Sequence, residues 1–310
     1  MPSIDDRLGR SHRYFEEIER SRVALQQREK ISDESLRDIG IGLWLRNSYI
    51  EFQGFINGKE MVDTASDFIG YSGENVNLFY MGHIGAINGE QVLAAITEHY
   101  LVDLKDEQFI LTDRLDEAEQ LEQFVKRTKK IKHKNRRPLV WTPSWNEIGA
   151  KCKVDDNDID LFEHLNNARY HIYFESGIQA VIESYEELHP DILKKAGCRF
   201  LITKSYMEYK SQVKAGEEIS MHSRLEGYDE SNGLRFYMTH RIMTGEKIIA
   251  MGVTEHVCLS SQALTMQNPF IALTLRMDRI EPDKVLPLKY VYSIQNQSDV
   301  PYHQNLFKPN

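Results

Sequence analysis

The chain has 310 residues, of which 41% are hydrophobic and 27% are charged. This length favours two domains of ordinary size, and the composition is that of a globular chain, which excludes disorder and a collagen-like repeat. The formal net charge of −9 would repel nucleic acid and anionic membranes, so we expect neither as a partner.

No stretch approaches the ~18 uninterrupted apolar residues that a transmembrane helix needs. The first residues, MPSIDDRLGRSHR, carry charges where a secretory signal would have its apolar core. We therefore expect a cytoplasmic protein without a membrane span. The three cysteines, Cys152, Cys198 and Cys258, lack the spacing of a disulfide framework or a zinc site, so we expect buried free thiols and no metal.

An internal repeat spans much of the chain. At an offset of 157 residues, positions 48–99 align without gaps onto 205–256 with 15 identities in 52 positions. Composition alone would give about 3 identities if matching were ~6%. At an offset of 156, Glu19 matches Glu175, so the repeat extends upstream across a single-residue insertion. The repeated polar residues include the pairs Ser66/Ser223, His83/His240, Thr97/Thr254 and His99/His256.

Each copy has the same predicted order, a helix followed by several strands. In the first copy we predict a helix near 10–27 and strands near 42–52, 61–71, 76–87 and 90–103. Next comes an acidic helix over 113–125. It runs into 126–137, where eight of twelve residues are Lys or Arg. We interpret that run as a solvated connector, with contact to a cofactor phosphate as the alternative.

The second copy begins with a short strand, 150–154, and an amphipathic helix from Arg169 to about Tyr185. Strands are predicted within 202–209, 218–228, 233–243 and 247–259, separated by Gly-containing turns. Residues 262–310 match nothing internally, and we expect a C-terminal extension there.

Polar side chains crowd the segment VDDNDIDLFEHLNNARYHIYFE, residues 154–175, between this strand and helix. Asn166 or Asn167 would be a good N-cap, and the backbone N–H groups of the first helical turn could stabilise an oxyanion. A carboxylate and an imidazole beside such donors suit hydrolysis of an activated acyl group. The alternative is that these residues only form a turn and cap the helix.

The pattern Asp158-x-Asp160-x-x-x-His164-x-Asn166-Asn167-x-x-Tyr170, with Glu175 following, resembles the 4-hydroxybenzoyl-CoA thioesterase-like superfamily of hotdog-fold thioesterases. The resemblance implies an α+β chain of two hotdog domains in tandem, each an antiparallel sheet wrapped around a central helix. The domain ranges that we predict are 1–110 for the first hotdog, 111–140 for a charged helical linker, 141–261 for the second hotdog and 262–310 for the extension.

The resemblance also implies roles for the loop residues. Asp160 would be the general base or nucleophile, His164 would assist, and the backbone from Asn166 through Asn167 to Ala168 would bind the oxyanion. Glu175 is a further candidate, because a helical Glu is the base in some hotdog thioesterases, although its repetition as Glu19 favours a structural role.

The same segment is similar to plant acyl-ACP thioesterases, with two departures. Phe162 stands where their loop has Asn, and Gln212-Val213 replaces their Glu-Cys pair. We therefore favour a CoA thioester as the substrate. The predicted function is acyl-CoA thioester hydrolysis in fatty acid metabolism without a cofactor. The alternatives are an acyl-ACP thioesterase and a non-catalytic protein that binds acyl-CoA or an acyl carrier.

The first copy lacks the loop chemistry. Projected by 156 residues, Asp160 falls on Ile4 and His164 on Leu8. We therefore expect one active site per chain, and we expect the repeated strand histidines to be packing residues. The sequence leaves open the acyl chain and the quaternary state, for which a homo-oligomer of double-hotdog units is one candidate.

Overall fold

Contacts group the chain into two units in a computed structural model. The N-terminal unit runs from Tyr14 to residue 132, and the C-terminal unit from residue 139 to Leu286. The structure describes residues 11–53, 62–73, 77–106, 108–110, 119–130, 132, 139, 147–231, 234–260 and 269–286.

The first elements agree with the predicted helix-then-strands order. They are α1 (Ser11–Arg28), α2 (Asp33–Asp38), β1 (Ile41–Phe52), β2 (Asp63–Ser72), β3 (Leu78–Ile87), β4 (Glu90–Asp103), β5 (Gln108–Phe109) and α3 (Glu119–Arg127). The acidic helix predicted over 113–125 is α3. Residues 113–118 lie outside the described residues.

The C-terminal unit repeats this order with an added edge strand. Its elements are β6 (Ile148–Lys153), α4 (Asn167–Ser184), α5 (Pro190–Lys195), β7 (Cys198–Tyr209), β8 (Glu218–Asp229), β9 (Arg235–Thr244), β10 (Lys247–Ser260), α6 (Pro269–Thr274) and α7 (Pro282–Val285). The architecture is α+β, as predicted.

The strands of each unit pair in the same antiparallel order. The N-terminal unit has the order β2-β3-β4-β1, and the C-terminal unit has β8-β9-β10-β7 with β6 beside β8. Even the irregularities repeat. The β2–β3 ladder shifts register between Phe68 and Gly70, and the β8–β9 ladder shifts between Leu225 and Gly227, 157 residues later. Because bulges are specific local features, the two units share a detailed backbone design.

The repeat extends beyond the residues that match in sequence. After β4 the chain forms α3 and returns to β2, where the Tyr71 N–H donates to the Lys129 carbonyl at 2.8 Å. After β10 it forms α6 and returns to β8, where the Tyr228 N–H donates to the Asp278 carbonyl at 3.1 Å. Each return makes a parallel bridge beside the same repeated tyrosine.

Both returning helices contribute to the core of their own unit. Leu121 and Phe124 of α3 pack with the buried residues of the N-terminal unit. Phe270 and Leu273 of α6 do the same in the C-terminal unit. Burying such side chains stabilises the fold by about 1.5–3 kcal/mol each. These helices therefore belong to the packed units themselves.

The central helix α4 packs its apolar face on β6, β8 and β9. Its buried side chains include Tyr170, Phe174, Ile178, Val181 and Ile182, which recur at the three- and four-residue spacing of an amphipathic helix. The helix starts where Asn166 supplies the cap and ends at Ser184. This placement fixes its N-terminus beside the polar loop from Val154.

The cysteine prediction is only partly correct. All three thiols are free, and Cys198 is buried. The prediction is wrong for Cys152, which is exposed because β6 lies at the edge of its sheet. Within the described ranges, no helix combines the length and the apolar character needed to cross a bilayer.

Candidate active site at the start of α4

The loop that leads to α4 is anchored before it reaches the candidate catalytic residues. Asp155 caps a single 3-10 turn by accepting the Asn157 N–H at 2.8 Å. The Asp158 carboxylate accepts the Tyr173 hydroxyl at 3.1 Å and lies 3.1 Å from Arg169 Nε. Tyr173 and Arg169 both lie on α4, so Asp158 ties the loop to the helix.

Asp160 lies in a tight turn that holds its carboxylate in place. Its Oδ1 accepts the backbone N–H of Phe162 at 2.8 Å and that of His164 at 3.3 Å. The turn closes through the Asp160 N–H, which donates to the His164 carbonyl at 2.8 Å. Glu163 completes the turn with φ +63°, a left-handed conformation that is costly for a residue with a side chain. His164 is only 7% exposed.

The first turn of α4 leaves one backbone donor available. Asn166 is the N-cap, and its Oδ1 accepts the Ala168 N–H at 2.9 Å. The Asn166 N–H donates to the Asp158 carbonyl at 2.8 Å, and the Arg169 N–H donates to the Asn166 carbonyl at 2.9 Å. Among the described residues, the Asn167 N–H has no acceptor. Of the backbone N–H groups predicted to bind an oxyanion, that of Asn167 is therefore the one available as a donor in this turn.

Tyr170 is a buried residue in the first turn of α4. Its ring is buried and meets Tyr209 edge-on at 5.2 Å between centroids, and its hydroxyl donates to the Ser211 carbonyl at 3.4 Å. Burial, and next the negative charge of Asp160, raise the pKa of Tyr170 well above its usual value. The tyrosine therefore stays a neutral donor beside the Asp160 turn.

Glu175 lies apart from this turn along the helix. Eight residues separate it from Asn167, which is ~12 Å of helix at 1.5 Å per residue. It is 7% exposed and lies among the buried residues of α4. The structure therefore groups Asp160, His164, Asn166 and Asn167 in one turn-and-cap motif and places Glu175 more than two helical turns further on.

The first-copy counterpart of Glu175 is held in an ion pair. Glu19 Oε2 lies 3.0 Å from the buried guanidinium of Arg22, which also pairs with Asp33 at 3.3 Å. The residue equivalent to Arg22 in α4 is Ile178, so this pair has no equivalent there. The first-copy positions that correspond to the candidate catalytic loop, residues 4–10, lie outside the described residues.

The repeated histidines are buried packing residues, as predicted. In the C-terminal unit, Ser223 Oγ lies 2.8 Å from His240 Nδ1, and Thr254 Oγ1 lies 2.9 Å from His240 Nε2 and 2.8 Å from His256 Nε2. Burial lowers the pKa of His240 to about 3 and, together with His240, that of His256 to about 3. Both imidazoles are therefore neutral at pH 7.

The N-terminal unit has the same chain of side chains. Ser66 Oγ lies 2.6 Å from His83 Nδ1, and Thr97 Oγ1 lies 2.7 Å from His83 Nε2 and 3.0 Å from His99 Nε2. We name these four residues and their C-terminal counterparts the histidine chains. Their repetition is explained by a shared role in holding the strands of each unit.

The contact to the central helix differs between the two histidine chains. Ser66 Oγ donates to Ser21 of α1 at 2.7 Å. The equivalent helical residue is Gly177, where an added Cβ would lie 2.2 Å from Ser223 Oγ. The glycine thus allows α4 to lie directly against the serine hydroxyl.

Sequence reasoning found the cap, the helix and the loop carboxylate, but it missed two features of the site. It assigned no function to Tyr173 and Arg169, which hold Asp158. It also had no signal for the left-handed Glu163, because Glu is not a residue that such a conformation favours. An Asp and an Arg eleven residues apart across a helix start were the available clue to the anchoring pair.

Residues 154–283 match the family model of the Thioesterase-like superfamily. This segment belongs to that superfamily. It begins at the loop before Asp160 and includes α4 and the four strands that follow. The thioesterase-like segment therefore contains every candidate site residue.

Solved structures extend the similarity to most of the chain. A Lactobacillus plantarum protein named as an oleoyl thioesterase superimposes with a TM-score of 0.64 at 15% identity, covering 81% of this chain and 89% of that one. An acyl-ACP thioesterase from Bacteroides thetaiotaomicron gives a TM-score of 0.56 at 13% identity, covering 82% and 92%.

The 12:0-ACP thioesterase from Umbellularia californica gives a TM-score of 0.54 at 14% identity, covering 73% of this chain and 76% of that one. At such identities the similarity establishes the hotdog fold and no more. No curated protein sequence matches the chain. In the part of the chain that the structure describes, His, Cys, Asp and Glu side chains form no group of three or more suited to a metal ion.

Proposed function

We propose that the chain hydrolyses acyl thioesters at the Asp160 turn and the start of α4. The observation that carries this proposal is the Asn167 N–H, which points from the first turn of a buried helix and has no acceptor among the described residues. A backbone donor of this kind, beside a positioned carboxylate, matches what the tetrahedral intermediate of acyl transfer needs.

The reaction requires an acceptor for a proton and a place for negative charge. Asp160 accepts a proton from water as the water oxygen attacks the thioester carbonyl carbon. The carbonyl oxygen becomes an oxyanion and accepts a hydrogen bond from the Asn167 N–H. When the carbon–sulfur bond breaks, Asp160 returns its proton to the departing thiolate, so that one thioester and one water become a carboxylic acid and a thiol.

The other candidate residues position or surround the Asp160 carboxylate and the Asn167 N–H. Asn166 fixes the amide of Asn167 by capping the helix. His164 holds the Asp160 carboxylate through its backbone N–H, and we assign its imidazole to orienting water or the thioester. Glu175, at ~12 Å along the helix from Asn167, is assigned a structural role in the core of α4.

We further propose coenzyme A as the thiol carrier, because Phe162 and Gln212-Val213 replace residues of the plant acyl-ACP pattern. Acyl carrier protein is the second candidate, favoured by the coverage of acyl-ACP thioesterase structures. Thiol release should be measured with the same acyl group on each carrier, over a panel of chain lengths. Release from neither, with binding of a non-hydrolysable analogue, would identify a binding protein instead.

The chain is also proposed to be a tandem of two hotdog domains with one active site. The repeated bulges and histidine chains support two related domains, and the domain ranges given above stay predictions. Calorimetric titration with a slow thioester analogue should give one productive site per chain. Asp5→Asn/Asp6→Asn should leave turnover near normal, and equal damage by this variant and Asp160→Asn would contradict the single site.

The metabolic role, the cellular location and the quaternary state of the chain stay predictions. A role in fatty acid metabolism, a cytoplasmic location and a homo-oligomer of double-hotdog units follow from the proposed activity and the sequence. Fractionation of cells and light scattering of the purified chain would test the last two.

A further inference from the structure

A cleft of about 450 Å³ lies in the N-terminal unit, at the ends of two helices. One wall comes from the end of α1 and the residues after it, and the other comes from α3. The lining residues are Arg28, Glu29, Lys30, Gln123, Lys126 and Arg127.

The lining is strongly cationic in a chain whose net charge is −9. It has four basic side chains and a single carboxylate. Two of the cations are neutralised locally. Arg28 lies 3.2 Å from Glu29 and 3.3 Å from Asp67, and Lys126 lies 2.7 Å from Glu122.

The other two cations have no such compensation. Within the described residues, neither Lys30 nor Arg127 makes an ion pair. Arg127 Nε instead donates to the Gln123 carbonyl at 3.3 Å, which holds its guanidinium at the cleft. Two like charges brought to one cleft from separate elements repel each other unless an anion lies between them.

Helix dipoles explain only part of this arrangement. Arg28, Lys126 and Arg127 are in the last turns of their helices, where positive charge is favourable. Lys30 lies beyond the end of α1 and has φ +62°, a position at which glycine is the usual residue. A lysine there costs backbone energy and leaves a cation that the helix end does not require.

We propose that this cleft binds a small phosphate-bearing anion, held by Lys30 and Arg127. Its volume lies in the range of small-molecule sites, and Arg and Lys together are suited to phosphate oxygens. The source is either free phosphate or the phosphorylated end of a nucleotide. This proposal is independent of thioester hydrolysis, since no residue of the Asp160 turn takes part.

Calorimetry at constant ionic strength tests the site with two probes, inorganic phosphate and adenosine 3′,5′-bisphosphate. The variants are Lys30→Gly, Lys30→Gly/Arg127→Gln and, as a matched control, Lys247→Gln at the exposed start of β10 in the other unit. Lys30→Gly removes the charge and relieves the backbone at once, so it should bind more weakly while unfolding at a higher temperature. A folding defect therefore cannot imitate the expected result.

We expect the double variant to bind at least tenfold more weakly than the parent, and the control to bind like the parent. Tenfold tighter binding of the bisphosphate than of phosphate would assign the site to a nucleotide, and equal binding would assign it to free phosphate. Absence of binding at about 10 mM of either probe, or equal binding by parent and double variant, would overturn the proposal.

Discussion

The N–H of Asp160 donates to the carbonyl of His164 at 2.8 Å, and the N–H of His164 donates back to the Asp160 carboxylate at 3.3 Å. This reciprocal pair closes a five-residue turn directly before the N-cap of α4. The turn therefore sets the position of the carboxylate relative to the helix N-terminus.

Replacement of Asn167 by proline isolates the proposed oxyanion donor. Asn167 is the first residue of α4, where proline fits, and Asn166 has φ −58° and ψ 138°, a conformation allowed before proline. We expect Asn167→Pro to lower kcat by about 10²–10³ because it deletes one N–H. Asn167→Ala keeps the amide and should stay near the parent rate. Circular dichroism would confirm the helix in both, and parent-like kcat in the proline variant would reject the donor.

Replacement of Glu163 by glycine tests the left-handed backbone of the turn. A residue with a side chain pays ~1–2 kcal/mol in this region, part of which glycine recovers. We expect Glu163→Gly to raise the melting temperature by a few degrees with little change in kcat. Glu163→Ala serves as the control because it keeps the strain. A glycine variant no more stable than the alanine variant would show that the turn is not strained.

Features of the site that depend on neighbouring residues could be predicted from the sequence, and features that depend on packing of the loop against the helix could not. The cap of α4 depends on neighbouring residues, so the sequence limited it to Asn166 or Asn167, and the structure assigns it to Asn166. The helix predicted from Arg169 starts two residues earlier, at Asn167. The φ angle of Glu163 and the hold on Asp158 by Tyr173 depend on how the loop packs against the helix. Residue types alone could not indicate them.

The fold shows the same division. The strands and both copies of the repeat were predictable because identical residues recur at a fixed offset. One returning segment forms a bridge with Tyr71 and the other forms a bridge with Tyr228, and the two segments are not similar in sequence. Such similarity is not needed, because a β-bridge uses backbone atoms that most residues supply. The exposure of Cys152 also escaped prediction, because it depends on β6 being at a sheet edge.

The N-terminal histidine chain is connected through Ser21 to a backbone carbonyl, that of Thr64. Because a carbonyl only accepts hydrogen bonds, it fixes which atom donates at each step of the chain. Ser21 donates to the Thr64 carbonyl and accepts from Ser66, so Ser66 must accept from His83 Nδ1. The other ring nitrogen of His83, Nε2, then accepts from Thr97, and His99 donates from Nε2. Nitrogen-15 NMR should find His83 protonated at Nδ1 and His99 at Nε2. The reverse tautomer at either would contradict this order.

The same chains predict acid sensitivity. The pKa of His240 and that of His256 are about 3 in the folded chain, below the ordinary 6.5, so the unfolded chain binds more protons between these values. The two histidines therefore make their full contribution to the free energy of unfolding above pH 6.5. That contribution falls as the pH drops toward 3, by ~1.4 kcal/mol per pH unit for each histidine. Urea unfolding at pH 7 and at pH 5 measures this loss of unfolding free energy.

His256→Gln should flatten that dependence by the contribution of one proton, while the parent keeps the full slope. An unfolding free energy equal at pH 7 and pH 5 for the parent chain would show that these imidazoles do not control its acid stability.

The most direct test compares thiol release by Asp160→Asn and Asp156→Asn on the acyl thioester, among CoA and acyl-carrier substrates, for which the parent gives the fastest release. Both variants remove one carboxylate from the same loop, but Asp156 is exposed in the 3-10 turn before the site. We expect kcat to fall by about 10²–10⁴ for Asp160→Asn and to stay near the parent value for Asp156→Asn. Asp160→Asn activity within about threefold of the parent, with the protein folded, would contradict the proposed active site.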